Sequence, residues 1–157
     1  MATQGTIRVE IAPGELLDKI VILEIKAARI ADADKLAHVQ AELTHLIAAR
    51  DAAIPPFDGL LPLVRELKSV NEALWDIEDA IRAEEAAARF GPRFIALARA
   101  VYRTNDRRAA IKRRINEVLG SALVEEKSYA AEATGEEAPE PAAGIEVELA
   151  AVRTIGG

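Results

Sequence analysis

Cysteine is absent from this sequence of 157 residues. That removes disulfides, thiolate metal sites and a cysteine nucleophile together, and leaves the redox compartment undetermined. Aromatic residues make up only 4%, and alanine is abundant, a composition that suits close-packed helices better than a sheet sandwich. No hydrophobic run approaches the ~20 residues of a membrane span. The first twelve residues alternate and carry Arg8 and Glu10, unlike a signal peptide. A soluble, cytoplasmic protein without membrane contact is expected. Gly-rich phosphate loops, nucleophile elbows and HExxH motifs are also missing, and no cofactor is implied.

Half of the residues are hydrophobic, enough for one core in a chain of single-domain length. The net charge of −6 is unevenly placed. Residues 1–124 carry 18 acidic and 18 basic side chains, whereas residues 125–157 carry 8 acids and 2 bases. A neutral body with an acidic tail does not fit a nucleic-acid partner, which calls for a net basic face.

Thr6–Ile11 alternates Ile7, Val9 and Ile11 with Arg8 and Glu10, the period of a half-buried strand. Pro13 and Gly14 then open a helix to about Ile30, with Glu15 in the first turn where the dipole favours acids. Its stripe is Leu16, Leu17, Ile20, Leu23 and Ala27, with Glu24 inside it. Val21, Ile22 and Ile25 cover much of the remaining circumference, so this helix should be the most buried. Asp32 or Asp34 suits the N-cap of a second helix through Arg50, with Leu36, Val39, Leu43, Leu46 and Ile47 as its apolar face. After the loop at Ile54-Pro55-Pro56 and Asp58-Gly59, a third helix is expected from Leu60 to Arg89. Leu63, Leu67, Val70, Leu74, Ile77 and Ile81 form its seam. Phe90-Gly91-Pro92 stops and restarts the chain. A fourth helix then runs from Pro92 to Leu119, with Gly120 as its C′ residue. The spacing thus predicts an all-α or nearly all-α four-helix bundle with a long antiparallel hairpin and a minor N-terminal β-strand. Residues 1–129 make up that domain. Residues 130–157, rich in Ala, Glu and Pro, read as a mostly disordered acidic tail. Leu123–Tyr129 is a second short strand candidate, and Gly144–Ile155 alternates weakly.

The stretch Tyr102–Asn116 carries the unusual chemistry. Turning about 100° per residue from Leu97, Val101, Ile111, Ile115, Val118 and Leu119 share a face with Thr104 and Arg108 at its centre. Asn105 and Lys112 lie at its edge. With the turn centred near residue 90.5, Glu78 faces Arg103–Thr104, one turn from Arg108, and Asn71 stands on the shoulder of the third helix. Glu24, Asn71, Glu78, Thr104, Asn105, Arg108 and Lys112 are therefore the candidate ligand-binding residues. In one reading, Arg108 and Lys112 clamp a carboxylate or phosphate between helices, with Glu24 or Glu78 as general acid or base. In the other, a buried Glu78–Arg108 ion pair only fixes helix register. Structural networks imitate active sites, so both stay open.

Other groupings are weaker. His38, Glu42 and His45 share a helical face, but that face points to water, and no metal site is expected. Glu72, Asp76 and Asp79 lie on the outer face of the third helix. They are natural partners for a basic strip of Arg99, Arg103, Arg113 and Arg114 on the fourth.

Four stretches together resemble a family of small bacterial proteins catalogued only as a domain of unknown function. They are PGELLDKIVILEIK (Pro13–Lys26), LWDIEDAIR (Leu74–Arg82), VYRTNDRRAAIKRRIN (Val101–Asn116) and LVEEKSY (Leu123–Tyr129). The resemblance covers roughly residues 5–130 and implies no established activity. Two functional expectations follow, with enzyme activity undecided. The chain binds a small anionic metabolite at the polar cluster, or it is a structural or protein-interaction module. Exposed Ala-rich faces of the hairpin would suit a homodimer.

Overall fold

The structure, a computed structural model, describes residues 5–56 and 58–120. Four helices follow one another: α1 (Pro13–Arg29), α2 (Ala33–Ala53), α3 (Leu60–Ala86) and α4 (Pro92–Val118). The all-α expectation holds, and each helix starts and stops within a few residues of its sequence signals.

Proline stands at the start of α1, where its missing N–H costs nothing. Asp32 caps α2, its carboxylate accepting the Lys35 backbone N–H at 2.9 Å. The end of α3 departs from the usual glycine stop. Ala88 takes the left-handed conformation, φ 53°, while the Arg89 N–H reaches back to the Glu84 carbonyl at 2.9 Å, closing the last turn. Gly120 has φ 65° and ends α4 as its type predicts.

The chain divides into two compact units. One holds the described residues up to Lys68 together with those from Ile111, and the other runs from Ser69 to Ala110. In the first unit α1 packs on α2, and burial of Leu16, Leu17, Ile20, Val21, Leu23 and Ile25 makes α1 its centre. Val39 of α2, Leu63 and Leu67 of α3, and Ile111 and Ile115 of α4 are buried in the same unit. Leu67 and Ile115 are both at 0% exposure. The second unit has a smaller core of Ile77, Ala80 and Leu97, flanked by Ile81, Ala100 and Val101. It joins the end of α3 to the start of α4 across the link 87–91.

Among the described residues there is no strand. Thr6–Ile11 has the right alternation but no ladder, and Ile7 and Val9 are 90% and 71% exposed. Alternation gives a strand its two faces; only a neighbouring strand supplies the hydrogen bonds. The second strand candidate, Leu123–Tyr129, lies outside the described residues, as do the acidic tail and Gly144–Ile155.

Candidate functional site

The polar chemistry of the first unit gathers where the start of α1 meets the end of α4. Lys112 is buried, its side chain 7% exposed, with Nζ 2.7 Å from Glu15 Oε2 and 4.0 Å from Asp18 Oδ2. Asp18 itself is 1% exposed. One turn further along α4, buried Asn116 accepts the Gly14 backbone N–H at 2.7 Å. That bond satisfies one of the first N–H groups of α1, which have no partner inside the helix. The Gly14 backbone comes so close that an added Cβ would stand 2.6 Å from the Lys112 carbonyl oxygen. Glycine is required there by approach alone.

This cluster differs in membership from the sequence expectation. Lys112, placed at the edge of its face, is one of the buried residues, whereas Val118, placed within the face, is 47% exposed at the helix end. Asp18, Glu15, Gly14 and Asn116 were not among the expected site residues. A signal for Asp18 existed. It stands three residues before Val21 and seven before Ile25, at the head of the second apolar row of α1. Asn116 follows Lys112 by four residues and so shares its side of α4.

The remaining expected residues fall into both units. In the first, half-buried Glu24 meets Lys68 of α3 at 3.4 Å. In the second, Glu78 pairs along its own helix with Arg82 at 3.5 Å. Arg108 donates to Asn105 Oδ1 at 3.4 Å, and both are half-buried, as is Thr104. Asn71 of α3 is 5% exposed in the same unit.

A further ionic cluster closes the end of α3. The Arg89 guanidinium donates through Nε and Nη2 to both oxygens of Glu84, at 3.1 and 2.9 Å, and Arg93 adds a contact at 3.4 Å. The paired Arg89 hydrogen bonds hold the Glu84 carboxyl below its usual range against the opposing effect of burial, with the charges of Arg89 and Arg93 assisting. Arg89 is raised by the same partner. On the outer side of α4, Tyr102 is 52% exposed. Its phenol is lowered chiefly by the hydrogen bond from Arg99.

Of the basic strip, Arg114 reaches Glu66 at 3.2 Å. His38, Glu42 and His45 all face solvent. Among the described residues no group of three His, Asp or Glu side chains is placed to hold a metal ion. Nor is any helix among them long and apolar enough to cross a membrane.

The fold and these clusters define an all-α protein whose buried charges are held in ionic networks between and along helices. The chain belongs to the family of unknown function DUF6165, whose family model matches residues 7–144. Comparison with the curated proteins and with the solved structures gave no match.

Proposed function

We propose that this chain is a helical interaction module. It binds another protein through the outer face of α4, and its interior ionic network sets how the helices stack. The observation that carries the reading is the exposure of Phe90, Ile95 and Tyr102, at 54%, 55% and 52%. Ile95 and Tyr102 are seven residues apart and so share a face, with Arg99 and Arg103 between and beside them. Large apolar side chains interleaved with arginine are what protein interfaces concentrate. The partner would offer apolar and acidic side chains, and a homodimer through the Ala-rich faces of α3 and α4 is one such pairing. Register belongs in this reading to Glu15, Asp18 and Lys112. Antiparallel pairing of α3 and α4 is part of it, supported by the Glu66–Arg114 contact between residues about equally far from the turn.

A second reading keeps the expected anion site around Arg108. The half-buried Asn105–Arg108 pair and the buried Asn71 of the same unit favour it. One pair of experiments separates the two. Sedimentation of wild type and of the Ile95→Ser, Tyr102→Ser double variant should show weaker association in the variant while the unfolding midpoint is kept, since both positions are exposed. A thermal-shift screen against phosphorylated and carboxylated metabolites should leave wild type unmoved. A compound that raises the wild-type midpoint but not that of Arg108→Ala would overturn the module reading in favour of the anion site.

A further inference from the structure

The segment before α1 has strand chemistry without a ladder. Ile7, Val9 and Ile11 are 90%, 71% and 40% exposed, Arg8 and Glu10 are exposed as well, and Gly5 turns the chain with φ 94° just before them. At the other end Ala12 is extended, φ −66° and ψ 148°, and leads into a first turn pinned by Asn116. The segment is thus an extended arm rooted at the start of α1.

From these positions we propose that Ile7–Ile11 pairs antiparallel with the same segment of a second copy of this chain, about a two-fold axis through Val9. The sequence is self-complementary in that register and in no neighbouring one. With Val9 opposite Val9, Ile7 falls opposite the partner's Ile11, so one face of the ribbon is wholly apolar. Arg8 then falls opposite the partner's Glu10, and Glu10 opposite the partner's Arg8, so the other face carries two cross-strand ion pairs. Slipping by one residue would set Ile7 against Glu10 and Val9 against Arg8, since directly opposite residues share a face. Pairing also supplies the row of backbone partners that a lone strand lacks. A short two-stranded ribbon is marginal in water by itself, so covalent trapping is the readout suited to it. The arm is a separate surface from the outer face of α4, and either can fail without the other.

The test uses the full chain, which has no cysteine of its own. Val9→Cys under mild oxidation should cross-link to a disulfide dimer, because the two side chains face each other on the axis, while His38→Cys, exposed on α2, should not. In the Val9→Cys background, Arg8→Glu and Glu10→Arg should each slow cross-linking about tenfold, because each sets like charges opposite one another twice. Mixing those two variants should restore the rate and give the mixed dimer by mass, since their charges are then opposite at both pairs. A Val9→Cys chain that stays monomeric overturns the proposal. So does a mixture no faster than its components, or cross-linking indifferent to both charges. Monomeric Val9→Cys combined with a lowered unfolding midpoint in Val9→Asp would instead show the arm pairing within its own chain. All substituted positions are exposed, so folding is not at stake.

Discussion

A methyl group at Gly14 would lie 2.6 Å from the Lys112 carbonyl oxygen and 2.8 Å from Asn116 Oδ1. The first neighbour is backbone and cannot swing away, so α1 or α4 has to move. Movement also stretches the Gly14–Asn116 hydrogen bond and disturbs the lysine seated beside it. Gly14→Ala should therefore destabilise the protein by roughly 1–3 kcal/mol, read as a lower urea midpoint. Gly91→Ala is the control. A Cβ there meets nothing within 4 Å, and the change should stay within about 0.5 kcal/mol of wild type. Equal effects at the two glycines would mean that close approach is not what Gly14 supplies. Gly14 could be read from the sequence only as part of a Pro-Gly helix start. Its packing role is set by α4, about a hundred residues away, and helical periodicity says nothing about what meets a backbone atom.

The helices themselves were far more legible, because their signals are local. In α3 the expected seam matches the burial: Leu63, Leu67, Val70 and Ile77 are buried, with Leu74 and Ile81 half-buried. The end of α3 was less legible, since it stops at an alanine in a glycine conformation. A left-handed alanine costs about 1–2 kcal/mol, partly offset by its smaller unfolded-state freedom relative to glycine. Ala88→Gly should accordingly stabilise the chain by about 0.5–1 kcal/mol, measured by urea unfolding; no gain would imply that the last turn of α3 is not held as described. The adjoining Glu84 cluster ties this stop to pH. Glu84 is held below the usual carboxylate range, so its folded pKa is lower than its unfolded one. Its stabilising contribution is complete above the unfolded value and is lost as pH falls through the folded one. Wild type should exceed Glu84→Gln in stability at neutral pH, and the gap should close under acid as both carry a neutral side chain. A gap independent of pH would assign the loss to packing and not to charge.

At the scale of the whole molecule, the sequence divides at a change of composition, and the described structure bears on only one side of it. Every buried residue among those described lies between Gly14 and Asn116, and the ionic contacts described above fall between Glu15 and Arg114. Beyond residue 129 the chain offers no aromatic side chain and six glutamates to one arginine. Composition of that kind can be read without a fold, because Ala130–Ala143 has no large apolar side chain to bury. The polar site could not be read in the same way. Lys112 depends on acids from α1, a long-range register that no helical wheel fixes. A chain ending at Tyr129 should therefore keep its helical circular dichroism and unfold within about 0.5 kcal/mol of the full chain. A larger loss would mean that residues 130–157 cover apolar surface on the body. Exposed Ile95 and Tyr102, flanked by Arg99 and Arg103, are where an acidic segment would have most to gain. Salt then discriminates between the two causes: loss of an acidic segment docked on arginines would fade as ionic strength rises, whereas loss of apolar cover would not.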